Sequence, residues 1–281
     1  SIYTDFQKAF DKVNHSILVQ KMANLGFTQE ALQFFRSYLS NREQYVGYKT
    51  AVSRTFPCPS GVPQGSNLGP LLFVIFINDI GNCIKHSQML LYADDMKIFR
   101  FIECEEDCRV LQDDLDSVVE WSEENKLPFN VQKCEKISYT RNRTRIISKA
   151  YHIKTEQLRD VECVRDLGLM MDRGITFTQH IAHIVKKSKR NLGFIIRNAG
   201  NFKKIQTLMI LYFSLVRSNL EFGFLIWNPH SSASSKGLEQ IQKRFLKYLY
   251  YKTFQYYPTE IGYRELLQGF EILSLDRRRS I

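Results

Sequence analysis

The stretch LLYADDMKIF, residues 90–99, constrains the fold of this chain more than any other. Asp94 and Asp95 stand side by side in a run otherwise built from Leu90, Leu91, Tyr92, Met96, Ile98 and Phe99. A carboxylate drawn into apolar surroundings without a partner is costly, and a like charge beside it adds to the cost. Two strands, from about Gln88 to Ala93 and Met96 to Phe101, place the pair at a hairpin tip. A divalent cation such as Mg²⁺ would neutralise it there, taking carboxylate oxygens and keeping water or phosphate as its other ligands. Successive strand residues point to opposite faces, so a complete site needs an acid from elsewhere. YTDFQKAFD, residues 3–11, offers Asp5 at the end of another strand. Three carboxylates from two strand ends suit two metals about 4 Å apart, which stabilise the entering and leaving oxygens of phosphoryl transfer. A solvated Asp-Asp turn is the competing reading.

Around this hairpin the first half reads as mixed strands and helices. The opening strand turns into a helix near Lys8, and Thr28–Leu39 has apolar residues near helical spacing. QYVGY and VSRTF predict a second hairpin, followed by the turn-rich loop PCPSGVPQGSNLGP and an apolar helix from about Pro70 to Asp79. Leu111, Leu115, Val118, Val119 and Ser122 mark one face of a further helix, with Asp113, Asp114, Asp116 and Glu120 on its solvated side. Short strands around KCEKISYT and VRDLGLMMD complete a first lobe, residues 1–172. Residues 173–281 read as long, basic, amphipathic helices, giving an α+β lobe followed by a helical one.

Charge separates the halves. Residues 1–140 hold 14 Lys+Arg against 18 Asp+Glu, and residues 141–281 hold 25 against 11. The net +14 of the second half suits a polyanion such as nucleic acid, with a solvated basic surface as the alternative. Six cysteines without a CxxC argue against zinc and for free thiols in a reducing, intracellular compartment, cytoplasmic or nuclear rather than secreted. The longest apolar run, LLFVIFI, is too short for a bilayer, and no signal peptide is visible, so no membrane is expected.

DFQKAFDKVNH, SGVPQGSNLGPLLFVIFIND, YADD, LPFNVQKCEK and VRDLGLMMD, in that order, resemble the successive palm motifs of reverse transcriptases. Their spelling is similar to the non-LTR (LINE-type) retrotransposon enzymes, most of all the jockey-like group of insects. NLEFGFLIWNP and LSLDRRR extend the resemblance over nearly the whole chain. It implies a right-hand polymerase palm, an antiparallel sheet with packed helices, followed by a helical thumb. It implies RNA-directed DNA polymerase activity on an RNA template, a DNA primer and their RNA–DNA hybrid, using dNTPs and two Mg²⁺ ions, with Mn²⁺ as a substitute. No protein partner is implied.

The resemblance also assigns roles. Asp5 and Asp94 would share the metals, with Asp95 supporting them and the Phe6 carbonyl binding the triphosphate-bearing ion. Phe10 would be the aromatic gate that excludes a 2′-hydroxyl; its alternative is a core Phe. Gln64 would contact the nucleotide near its sugar, and Gly61 and Gly65 would allow close backbone approach. Lys133 would ease the departing pyrophosphate, or else be a solvated lysine, while Asp11 would cap or tie its helix. Leu167 and Gly168 match the turn that grips the primer terminus. Ile181, Ile184, Val185, Ser188, Leu192, Ile195 and Ala199 form one face of a helix carrying Lys186, Lys187, Lys189 and Arg190, read as a duplex-holding thumb. FLKYLYYKTFQYYP interleaves aromatics with lysines, suiting core packing foremost and base stacking second.

The resemblance begins at the first catalytic motif. It places fingers and an endonuclease ahead of Ser1 in a parent protein, so residues 1–281 by themselves are expected to catalyse poorly. A non-catalytic nucleic-acid-binding remnant is the alternative. An RNA-dependent RNA polymerase shares paired acids but would lack an aromatic gate at Phe10.

Overall fold

The computed structural model describes residues 1–141, 147, 149–202, 204–229 and 231–280. The chain divides into two compact units, Ser1–Glu162 and Cys163–Ile281. The sequence reading set this division ten residues later, because VRDLGLMMD resembles a palm motif. Leu169 and Met171 of that segment instead pack into the second unit's core.

In the first unit, β1 (Ile2–Thr4) is followed by a 3-10 turn, Ala9–Asp11, and then by α1 (His15–Asn24) and α2 (Gln29–Leu39). The helix expected near Lys8 is a single 3-10 turn entered through a left-handed Lys8, with φ of 50° and ψ of 54°, and the first α-helix waits for its N-cap, Asn14. β2 (Glu43–Gln44), β3 (Gly47–Tyr48), β4 (Ala51–Val52) and β5 (Phe56–Pro57) pair as one exposed hairpin, β2 with β5 and β3 with β4. α3 (Gly69–Ile77) opens with Pro70 in its first turn, where the missing N–H costs nothing. β6 (Gln88–Tyr92) and β7 (Asp95–Phe99) form the expected hairpin, and α4 (Glu105–Glu124) follows. β8 (Glu135–Lys136), β9 (His152–Ile153), β10 (Glu156–Gln157) and β11 (Arg159–Asp160) end the unit.

Five of these strands make one sheet in the order β11-β8-β1-β7-β6. The short β1 is its centre, antiparallel to both neighbours, and only the β11–β8 pair is parallel. Helices supply the rest of the core through Leu18 and Met22 of α1, Phe73 and Phe76 of α3, and Leu111 and Leu115 of α4. Asp114 does not lie on a solvated face as expected. It is buried and accepts backbone N–H bonds from Lys85, His86 and Ser87 at 2.6–3.2 Å, which anchors the chain entering β6. Burial pushes its carboxyl up, but the N–H donors outweigh this and hold it below the usual range.

The second unit opens with the hairpin β12 (Cys163–Asp166) and β13 (Leu169–Asp172) and is helical thereafter. α5 (Thr178–Asn198) leads to α6 (Ile205–Tyr212), which runs through a π-turn at Phe213–Arg217 into α7 (Ser218–Glu221). α8 (Phe224–Trp227), α9 (Ser232–Phe254), α10 (Tyr263–Gly269) and α11 (Leu275–Arg279) complete it. Its core centres on Tyr212, Trp227, Leu238, Phe245 and Leu249. Among the described residues, no helix is long and apolar enough to cross a membrane, and none of the six cysteines is in a disulfide.

Candidate active site

The register of β1 against β7 pairs Ile2 with Ile98, Tyr3 with Lys97 and Thr4 with Met96. Ile2, Thr4, Met96 and Ile98 are all buried, so this face meets the core. Asp5 follows the last paired residue of β1, and Asp95 heads β7 just before Met96, so both acids stand at the same end of the two strands. β6 and β7 close with Tyr92 paired to Asp95, leaving Ala93 and Asp94 as a two-residue turn. Ala93 has φ of 54°, the left-handed value that tight hairpin turns require at their first central residue. Asp94 therefore occupies the tip, half-buried, while Asp95 heads β7.

The strand after β1 is held on its other edge. Asn130 N donates to Asp5 O at 2.7 Å and Gln7 N to Pro128 O at 2.9 Å, bracketing a bridge between Phe6 and Phe129. Because its neighbours carry those bonds, Phe6 directs its own carbonyl to the opposite edge, the side on which β7 lies. Its ring stacks on Phe129 with centroids 4.4 Å apart, fixing the backbone there. Asp5 N donates to Cys134 Sγ at 3.4 Å. Burial pushes that thiol up to about 11, so it stays protonated beneath the site.

Lys133 places Nζ 3.5 Å from Asp5 Oδ1. Both side chains are well exposed, at 65% and 38%, so the pair is worth about 0–1 kcal/mol and exchanges easily for other partners. Among the described residues, no three His, Cys, Asp or Glu side chains stand together at metal-binding spacing. The donors at these strand ends are nevertheless all hard oxygens, three carboxylates and a backbone carbonyl, the set that suits Mg²⁺. Their chemistry and their backbone placement fit a divalent cation.

A second group of contacts joins Phe10 to the GVPQGS loop. Val62 N donates to Phe10 O and Gly61 N to Val13 O, both at 2.8 Å. Ser60 Oγ donates to Asp11 O at 2.9 Å, and His15 Nε2 lies 2.7 Å from Gly61 O. Gly61 has φ of 88°, and a Cβ there would sit 2.7 Å from Asp11 O, so only glycine permits this approach. Gly65, with φ of 81°, faces open space instead. Gln64 Nε2 donates to Asp11 Oδ1 at 2.9 Å. Asp11 thus ties the loop, while Asn14 caps the helix. The Phe10 ring stacks on Phe73 with centroids 4.2 Å apart and remains half-buried.

The remaining expected residues belong to the second unit. Leu167 and Gly168 form the two-residue turn between β12 and β13, with φ of 44° and 90°. Lys186, Lys187, Lys189 and Arg190 are exposed on α5, whose opposite side buries Ile181, Ile184, Ser188, Leu192 and Ile195. Sequence reasoning missed the Lys133–Asp5 pair, the Asp11–Gln64 tie and Cys134. The first and last connect residues more than 120 positions apart, and no local pattern records such a contact.

Residues 2–196 match the family model described as reverse transcriptase (RNA-dependent DNA polymerase), and the chain belongs to that family. Within it, the chain groups with non-LTR retrotransposon enzymes. It is 25% identical over 253 residues to the probable RNA-directed DNA polymerase from transposon X-element of Drosophila melanogaster, covering 87% of this chain and 27% of that protein. It is 30% identical over 193 residues to the RNA-directed DNA polymerase from mobile element jockey of the same species, covering 65% of this chain and 20% of that one. The chain thus spans about a quarter of the length of these relatives. Among solved structures, telomerase from Candida albicans in complex with a TWJ fragment of telomeric RNA aligns with TM-score 0.42 at 12% identity, over 98% of this chain and 51% of that one.

Proposed function

We propose that this chain carries the polymerase centre of a non-LTR retrotransposon reverse transcriptase, which extends a DNA primer with dNTPs along an RNA template. The first unit is the palm and the helices of the second unit are the thumb. The observation that supports this reading is the β1–β7 register, whose last pair, Thr4 with Met96, is followed by Asp5 on one strand and preceded by Asp95 and the turn holding Asp94 on the other.

Asp5, Asp94 and the Phe6 carbonyl would hold two Mg²⁺ ions, or Mn²⁺ in their place, and Asp95 would brace them from the neighbouring strand. When bound, such ions lower the pKa of the primer hydroxyl and neutralise charge developing on the phosphates. Phe10, pinned by Phe73 and by the Val62 bond to its carbonyl, closes the space beneath the sugar to a 2′-hydroxyl. Gln64, oriented by Asp11, contacts the nucleotide near that sugar, where Gly65 leaves room for approach. Lys133 leaves its weak pairing with Asp5 and meets the departing pyrophosphate as a cation. The Leu167–Gly168 turn steadies the primer end, and the α5 cations hold phosphates without reading sequence.

Primer extension tests this reading. Asp5→Asn should abolish Mg²⁺-dependent dNTP incorporation while RNA–DNA hybrid binding stays close to wild type, because the acid serves chemistry rather than affinity. Unchanged extension would defeat the proposal. With the sequence restored to its full-length context, absent extension by wild type with hybrid binding intact would favour a second reading, a non-catalytic binding protein using the exposed α5 cations.

A further inference from the structure

α9 carries a surface that the polymerase reading does not use. Lys236, Gln240, Lys243, Lys247, Tyr251 and Phe254 recur at three- and four-residue spacings along one side of this helix. They span about 27 Å at the α-helical rise. None of them is buried, whereas Leu238, Phe245 and Leu249 fill the core from the other side. The stripe is cationic at its start and aromatic at its end.

Helix termination builds the aromatic end. Gln255 adopts a left-handed φ of 66°, and its N–H donates to Tyr251 O at 2.8 Å, turning Tyr256 and Tyr257 back along the helix. Tyr257 then stacks on Tyr251, with centroids 4.7 Å apart and planes 13° from parallel. Tyr256 bonds Tyr250 hydroxyl to hydroxyl at 2.7 Å and meets its ring edge-on. Phe254, Tyr256 and Tyr257 remain 52%, 58% and 58% exposed. Core packing therefore claims only part of this aromatic run, and rings braced against one another stay more than half exposed.

Charge selects the occupant. Glu239, the one acid within α9, accepts from the Tyr263 hydroxyl and from Asp276 N. Lys236, Lys243, Arg244 and Lys247 thus face solvent with little local anionic offset. Cations tracking a strand's phosphates and aromatic faces receiving its bases are the two parts of a platform for unpaired nucleic acid. We infer that the α9 stripe and its Tyr251–Tyr257 end bind single-stranded RNA or DNA without sequence preference, independently of the polymerase centre and of the α5 cations.

The test titrates residues 1–281 into a fluorescein-labelled poly(U) oligonucleotide of about 12 nucleotides, without divalent metal or dNTP. Phe254→Leu and Tyr257→Leu together should weaken binding about 10-fold or more while leaving the salt dependence of affinity unchanged. Lys236, Lys243 and Lys247 replaced together by Gln should instead flatten that dependence. Tyr257→Phe, which keeps the ring face, should bind like wild type, and this guards against a misfolded double variant. RNA–DNA hybrid affinity should not respond to the aromatic changes. Equal poly(U) affinity in the leucine variant overturns the inference, as does equal weakening of poly(U) and hybrid. Binding to phosphatidylserine vesicles but not to poly(U), lost in the same variants, overturns it in favour of a membrane surface.

Discussion

Gly61 and Gly65 separate two costs that glycine substitutions usually mix. Both have positive φ, 88° and 81°, so alanine at either loses about 1–2 kcal/mol to backbone strain. At Gly65 the added Cβ meets nothing within 4 Å, and the cost ends there. At Gly61 it would lie 2.7–2.9 Å from three backbone atoms of Asp11, none of which can rotate aside. The loop must withdraw, which breaks Gly61 N to Val13 O and Val62 N to Phe10 O. Each such bond contributes about 0.5–1.5 kcal/mol net. Gly61→Ala should therefore cost about 2–5 kcal/mol against about 1–2 for Gly65→Ala, a large part of a typical domain's stability. Urea unfolding followed by tryptophan fluorescence measures this, because Trp121 lies in the first unit and Trp227 in the second. In a Trp227→Phe background the signal reports the first unit alone. Equal costs for the two alanines would refute the idea that the GVPQGS loop is clasped to Asp11.

Phe10→Val should admit ribonucleotides, since the shortened side chain opens the space a 2′-hydroxyl needs; unchanged dNTP-over-rNTP selection in extension assays would remove Phe10 from the nucleotide pocket. Lys186, Lys187, Lys189 and Arg190 replaced together by Gln should weaken hybrid binding similarly for all sequences and flatten its salt dependence, which titrations at several salt concentrations would read. The buried His180 accepts Met170 N at Nδ1 and stands beside the Trp227 ring. Burial and the neighbouring His183 lower its pKa below 6.5. The unfolded chain therefore binds a proton first as pH falls, and the second unit should lose stability below about pH 6.5. His180→Gln should remove that slope from urea midpoints read by Trp227 fluorescence.

The strand pair around Asp94 and Asp95 and the start of α3 were legible because each is a local pattern, alternation in one and a proline-led apolar run in the other. Failures came where distant contacts decide. Residues 8–13 have apolar residues at roughly helical spacing, yet the segment opens with left-handed Lys8 and gives its Phe10 and Val13 carbonyls to a loop some 50 positions on. Strand structure around VRDLGLMMD was legible, but alternation says nothing about which core receives it, and Leu169 goes to the second. Asp114 shares its acidic run with Asp113 and Asp116, and only the incoming Lys85–Ser87 backbone distinguishes it. The acids of the site were readable as residues. That Lys133 pairs with Asp5 was not.

The central claim is that Asp5 and Asp94 hold a shared pair of divalent ions. Its most direct test counts Mn²⁺ bound per chain by electron paramagnetic resonance, with an RNA–DNA hybrid and a non-hydrolysable dNTP present. Wild type should bind two ions, and Asp94→Asn should lose at least one without losing the hybrid. Two ions retained when Asp5 and Asp94 are both changed to Asn would contradict the account.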